Sequence, residues 1–297
     1  MWDHSRRKSE SLMKIVLIGA GNLATNLGKA LHRAHHEIVQ VYSRTEASAS
    51  ALAETLACPH TTRLTDVVRS ADVFIISVKD TALPSVAAAL HEGREGQFFV
   101  HTAGSMPLAV LPSARCGVFY PMQTFSKNKE VDFSVIPCFV EASNEEDEAT
   151  LRSLGKTLSD SVYTLDSENR KYLHLSAVFC CNFANHCYAL GAQLLQAHGG
   201  IPFSVMLPLI GETAHKLYSM TPVEAQTGPA VRWDENVMEK QRQLLAAMPH
   251  LQQIYELMSQ SIHELAVEGE TSGFSSQFSS SSSSSPSSPS SQSNPSG

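Results

Sequence analysis

Short apolar runs alternate with longer amphipathic stretches through the first half of the chain. Ile15–Ile18, Ile38–Tyr42, Val73–Val78 and Phe98–His101 read as buried strands bounded by turn residues. Gly117–Tyr120, Pro137–Glu141 and Ser161–Leu165 continue the series, with a helix over Glu145–Leu158. This alternation predicts a parallel sheet with helices on both faces, ending near residue 165. From Asn169 to about Val267 nearly every segment instead has helical periodicity, broken only at Gly199-Gly200-Ile201-Pro202, Thr221-Pro222 and Gly228-Pro229. The pattern therefore predicts an α/β protein: a polar extension over 1–12, a sheet domain over 13–165 and an all-α domain over 166–268. From Glu270 the chain is nearly all serine and cannot bury enough apolar area to offset its entropy, so 269–297 reads as a disordered tail.

The first strand runs directly into a glycine-rich turn in "KIVLIGAGNLATNLGKAL", Lys14 to Leu31. A dinucleotide turn needs one glycine for the bend, a second for close approach of a pyrophosphate, and a small third residue where helix packs on strand. Gly19, Gly21 and Ala24 stand at those positions. Leu23, Leu27 and Leu31 give the next helix an apolar stripe. The amides around Ala20, Asn22 and Leu23 then face the phosphates at the helix N-terminus.

The second strand ends in "IVQVYSRT". An NAD site normally carries an Asp or Glu there for the ribose hydroxyls. Here Arg44 follows instead, flanked by Ser43 and Thr45, a set that suits a 2′-phosphate and so NADP (NADPH). A surface arginine beginning a helix is the other reading.

In the second half, Lys171–Leu195 is too apolar for a surface helix and is expected to be buried on most sides. At about 100° per residue, His174, Asn182 and Asn185 fall within about 80° of one another, with His186 about 40° beyond. Such a polar stripe serves either a substrate and nicotinamide or a hydrogen-bond network with a neighbouring helix. Arg232, before a helix that Asp234 is placed to cap, is either an anion ligand or half of a salt bridge. "VHTAGSMP" and "FYPMQTFS" follow strands at the edge where such sheets bind ligands. They bring Thr102 and Ala103, with His101 pointing either toward the ligand or into the core, and also Tyr120 and Gln123. Ser105 and Pro107 make a helix start.

Composition narrows the partners. The chain has 297 residues, 42% of them hydrophobic, and a formal net charge of -7, with one dense basic run at Arg6, Arg7 and Lys8. That balance excludes nucleic acid and anionic membrane as main partners. No run reaches the roughly 18 apolar residues of a spanning helix, and no signal-peptide core opens the chain, so a cytoplasmic protein is expected. The six cysteines lack a CxxC pair and are expected to be reduced and mostly buried. No metal is expected, since neither His35-His36 nor His186-Cys187 has ligand spacing.

Taken in order, "IGAGNLATNLGKAL", "ADVFIISVKD", "HTAGS", "FYPMQTFS", "HLSAVFCCNFANHCY" and "GPAVRWDENVMEK" resemble the Rossmann-like proteins with a DUF2520 domain. These are relatives of pyrroline-5-carboxylate reductase, ketopantoate reductase and the 6-phosphogluconate dehydrogenase-like enzymes. The resemblance spans about residues 13–265. It implies an N-terminal Rossmann-type doubly wound sheet, an all-α C-terminal domain that forms a homodimer, and a cleft between the domains. It also implies that Val78 and Lys79 pass beside the cofactor. The wider superfamily carries a lysine four residues before the central-helix asparagine, where this chain has Val178 before Asn182.

The resulting expectation is an NADP-dependent oxidoreductase that moves a hydride to or from a small polar C=O or C=N substrate in the interdomain cleft. His174 would act as general acid or base, Asn182 and Asn185 would orient the substrate, and Arg232 would bind an anionic group. The alternative is a dinucleotide-binding sensor or scaffold without chemistry, consistent with Val178.

Overall fold

The computed structural model describes residues 12–272. The expected N-terminal extension and serine-rich tail therefore lie outside the described residues, apart from Leu12 and 269–272. The last of these belong to a helix rather than to the tail.

The strands are β1 (Lys14–Ile18), β2 (Glu37–Tyr42), β3 (His60–Thr61), β4 (Val73–Ile76), β5 (Phe99–His101), β6 (Cys116–Pro121), β7 (Cys138–Ala142) and β8 (Val162–Thr164). They form one sheet in the order β3-β2-β1-β4-β5-β6-β7-β8. Every neighbouring pair is parallel except β6–β7, which is antiparallel with Phe119 opposite Val140.

Alternate residues of the central strands feed two separate cores. Ile15, Leu17, Val73, Ile75 and Val100 pack on one face, and Val16, Ile18, Phe74, Ile76 and Phe99 on the other. Burial on both faces explains why these strands are apolar throughout rather than alternating. Helix α1 (Asn22–Arg33) adds Leu27 and Leu31 to the first core, and α2 (Glu46–Leu56) adds Leu52 and Leu56. Helix α3 (Leu83–His91) adds Val86 and Leu90 to the second. Helix α4 (Glu145–Leu158) begins at Asn144, whose side chain accepts from the Asp147 amide at 2.9 Å. Where Ser105 and Pro107 suggest a helix start, only a single 3-10 turn forms, Leu108–Val110.

Helix α5 (Ser167–Ala177) starts at Asp166, whose carboxylate accepts from Asn169 N at 2.8 Å. Arg170, 1% exposed, anchors this helix to the sheet through an ion pair with Glu141 on β7. Its guanidinium also donates to the Met106 carbonyl at 2.7 Å and the Ser167 hydroxyl at 3.2 Å. The Leu108 amide closes the network on Ser167 Oγ at 2.9 Å. Removing one partner of such a buried pair costs about 3–5 kcal/mol.

The chain divides after Ala184 into two compact units. α5 is therefore grouped with the sheet, although the sequence pattern assigns it to the helical part; the Arg170 network is the physical reason. The second unit contains α6 (Ala184–Ala197), α7 (Leu207–Lys216), α8 (Pro222–Ala225), α9 (Glu235–Leu244) and α10 (Pro249–Ser272). Within it α10 packs against α8 and α9. The His263 ring donates to the Val231 carbonyl at 3.1 Å and lies against the Trp233 ring. Asp234 caps α9, accepting from the Val237 amide at 3.3 Å.

Two expectations for Lys171–Leu195 are corrected. The segment is largely exposed in the single chain, with Tyr172, Phe179 and Phe183 uncovered at 71%, 61% and 50%. Its apolar character is real, but among the described residues nothing covers those rings fully. Val178–Phe183 is also a π-helical turn, with i→i+5 hydrogen bonds. Its wider turn rotates each residue by less than the α-helical step, so the arc drawn through His174, Asn182 and Asn185 at uniform steps does not hold. The cysteines also differ from expectation: Cys116 and Cys138 are buried, Cys58 is half-buried, and Cys180, Cys181 and Cys187 are exposed on this same helical run, though all six are free.

Candidate functional site

A cleft of about 910 Å³ opens in the first unit where the parallel strands end. Its lining follows β1 at Gly19–Leu23, β2 at Ser43–Thr45, β4 at Ser77–Ala82 and β5 at Thr102–Gly104. Tyr120 and Pro121 at the end of β6, with Gln123, Lys127 and His174, complete it.

Backbone hydrogen bonds set its floor. Gly19 N donates to the Tyr42 carbonyl and Ser77 N to the Ile18 carbonyl, both at 2.7 Å. Gly19 has φ +120°, and a β-carbon on it would lie 2.1 Å from the Ser77 carbonyl oxygen, so only glycine fits. A β-carbon on Gly21 would meet nothing within 4 Å. That open space lies at the N-terminus of α1, where no side chain caps the amides of Asn22, Leu23 and Ala24. The residues thus fit a dinucleotide: uncapped amides, the positive end of a helix dipole, and room for a bulky anion.

Ala24 does not line the cleft. It is fully buried beneath the turn, where a small residue lets helix and strand approach. Ser43 and Thr45 line the cleft beside Arg44, which is exposed and makes no ion pair among the described residues. Val78, Lys79, Thr102 and Ala103 join the same lining. Asp80, which the sequence reading did not single out, lines it too and accepts a short hydrogen bond from the Ser105 hydroxyl. That bond joins the turns after β4 and β5. Behind the lining, the buried Asn26 side-chain amide ties α1 to the segment after β6, donating to Asn22 O at 2.9 Å and Ser126 O at 3.0 Å.

His101 does not reach the cleft. It is 0% exposed, and its Nδ1 accepts from the Ala103 amide at 3.2 Å. Burial pushes its pKa down to about 4, reinforced by the nearby Arg170 guanidinium, so the ring is neutral at pH 7.

His174, on α5, does reach it. Its Nδ1 lies 3.1 Å from the Tyr120 hydroxyl, and the two rings meet edge to face. Gly104 makes room for the pair, since a β-carbon there would lie 2.7 Å from His174 Nδ1 and 2.9 Å from Tyr120 Cζ. Asn182 is exposed on the π turn and does not line this cleft. Asn185 and Arg232 belong to the second unit and are both exposed. The Arg232 guanidinium lies 3.7 Å from Asp234 and donates to the Gly228 carbonyl at 3.4 Å. Its salt-bridge reading is thus present in the structure. Among the described residues no group of three or more His, Cys, Asp or Glu side chains is placed to hold a metal ion. No helix among them is long and apolar enough to cross a membrane.

A strand order that reverses at β1, a glycine turn at that switch point and uncapped helix amides define a Rossmann-type dinucleotide-binding fold. The Rossmann-like domain profile matches residues 3–121, and the domain of unknown function DUF2520 matches residues 136–262. The crystal structure of "putative NADP oxidoreductase" from Bacteroides fragilis is 55% identical, covering 85% of this chain and 98% of its own, with a TM-score of 0.81. This chain belongs to the Rossmann-like, DUF2520-containing family. A Thermotoga maritima protein shares the fold at 20% identity, covering 85% and 99% of the two chains, with a TM-score of 0.72. An imine reductase from Myxococcus stipitatus, solved in complex with NADP+, shares it at 15% identity over 88% and 96%, with a TM-score of 0.59. No curated protein matches the chain.

Proposed function

We propose that the protein is an NADP-dependent oxidoreductase acting on a small polar substrate with a C=O or C=N group. The observation that carries this reading is the first-unit cleft, which joins a pyrophosphate-sized cradle at Gly21 to a hydrogen-bonded Tyr120–His174 pair. The Bacteroides fragilis relative, named for NADP, supports the choice of cofactor and reaction class. When bound, NADPH supplies the hydride.

The chain's own residues do the rest. The amides of Asn22 and Leu23 hold the pyrophosphate, and Arg44 with Ser43 and Thr45 holds the 2′-phosphate. Val78, Lys79, Thr102 and Ala103 form the walls along the rest of the cofactor. His174 moves a proton. In this reading the helical part, nominally 166–268, is a substrate and dimerisation domain whose candidate substrate contacts are Asn182, Asn185 and Arg232, none of which lines the first-unit cleft. A homodimer follows from the same reading, because helices with Phe179, Phe183, Leu207 and Leu244 uncovered need a partner surface.

The test is NADPH oxidation by the full chain against a panel of small imines and carbonyl compounds. Turnover that His174→Ala lowers by roughly a hundredfold is expected, with a smaller loss in Asn182→Ala. Unchanged turnover in both variants would remove these roles. Tight NADPH binding with no turnover across the panel would favour a sensor or scaffold, the reading that Val178 supports.

A further inference from the structure

We propose that Tyr120 delivers the reaction's proton and that His174 restores it, the two forming a relay from the cleft to solvent. The inference rests on the oxidoreductase reading above and moves the proton-donating role from the histidine to the tyrosine.

Tyr120 is next to last in β6, one of the parallel strands whose carboxyl ends frame the cleft, and the residue is 8% exposed. Its hydroxyl and His174 Nδ1 are 3.1 Å apart, so one proton is shared between them. Gly104 has no side chain at the one point where any β-carbon would strike both rings. The pair is therefore accommodated by the backbone of the turn after β5, which is itself part of the cofactor wall. Sequence distance hides the arrangement, because the partners are 54 residues apart.

Chemistry assigns the order. Burial raises the Tyr120 pKa above its ordinary value, and Cys181 acts in the same direction while Arg170 opposes both. The phenol stays protonated at neutral pH and gives up its proton only to a heteroatom that is becoming negative. His174 is half-buried, and its imidazole has one nitrogen facing the phenol and a second free to exchange a proton with water. In the reduction, hydride from NADPH adds to the substrate carbon and the C=O or C=N π bond breaks. The Tyr120 O–H bond breaks as its proton passes to the substrate oxygen or nitrogen. The phenolate takes the proton from Nδ1 of protonated His174, and the imidazole regains one from solvent. The net change is one hydride and one proton added to the substrate.

The same full-length protein serves the test, using small cyclic imines and 2-oxo acids as probes and NADPH oxidation as the signal. With the best probe, Tyr120→Phe should lower kcat by about 100-fold or more while KM and the NADPH Kd move less than about threefold. His174→Gln should lower kcat less and remove the limb of the kcat–pH profile in the histidine range. Ring-nitrogen NMR gives a second readout: the His174 Nδ1 resonance should shift in Tyr120→Phe, which removes its hydrogen-bond partner. A Tyr120→Phe enzyme within about threefold of wild-type kcat, or an unshifted Nδ1 resonance, would overturn the relay and leave the oxidoreductase intact. Absence of turnover by the wild-type protein with every probe would instead remove the reaction, and the relay with it.

Discussion

Gly19 and Ser77 meet so closely that a β-carbon on Gly19 would lie 2.1 Å from the Ser77 carbonyl oxygen, whereas a β-carbon on Gly21 would lie in open space. The first glycine is needed to fold the turn; the second is needed for what the turn binds. Gly19→Ala is expected to cost at least about 2 kcal/mol in stability, through backbone strain and the clash. Gly21 has an ordinary φ of -78°, so Gly21→Ala should change stability by less than about 1 kcal/mol and yet weaken NADPH binding by at least about tenfold. Thermal melting and fluorescence titration of the two variants check this. Equal stability losses, or undiminished binding in Gly21→Ala, would contradict the division of roles.

His101 makes the sheet acid-sensitive. Its pKa is about 4 when folded, against about 6.5 when unfolded, so between these values the unfolded chain binds a proton that the folded chain refuses. Stability therefore falls as pH falls through this window, by up to about 1.4 kcal/mol per pH unit. Burial lowers the His36 pKa as well, which adds to the loss. His101→Asn keeps an acceptor for the Ala103 amide but cannot titrate. Urea unfolding at about pH 7 and about pH 5 should show a smaller pH effect in this variant than in wild type. An identical pH effect would mean that His101 is not the source.

Phe179 and Phe183 pack edge to face with centroids 5.0 Å apart, yet both remain exposed. If a second copy of the chain covers them, sedimentation should give twice the chain mass for wild type and one chain mass for the double variant Phe179→Glu, Phe183→Glu. A wild-type monomer at micromolar concentration would remove the dimer from the account.

Much of this fold was legible because strands buried on both faces must be apolar throughout. Ile15–Ile18 and Val73–Val78 stood out for that reason, and the helix over Glu145–Leu158 was readable as well; its Asn144 cap and acidic first turn account for where it starts. Strand direction was not legible: nothing in Cys138–Ala142 encodes that it runs antiparallel to β6, since its pairing is decided across the sheet. The two-residue β3 is too short to have a period. The π turn at Val178–Phe183 was hidden because one wide turn hardly disturbs a helical apolar pattern, yet it shifts every later side chain. The glycine turn, Ser43–Arg44 and the turns after β4 and β5 were readable as local motifs. The Tyr120–His174 and Asp80–Ser105 contacts were not, because each joins distant segments that only the sheet brings together.

Arg44 carries the most direct test of the account, since it stands beside Ser43 and Thr45 at the cleft without a carboxylate partner among the described residues. The measurement is the pair of dissociation constants for NADPH and NADH, taken on the wild-type protein and on Arg44→Ala. The account predicts that wild type prefers NADPH, and that Arg44→Ala weakens NADPH by roughly tenfold or more while NADH changes by less than about threefold. Equal losses for the two cofactors, or a wild-type preference for NADH, would contradict it.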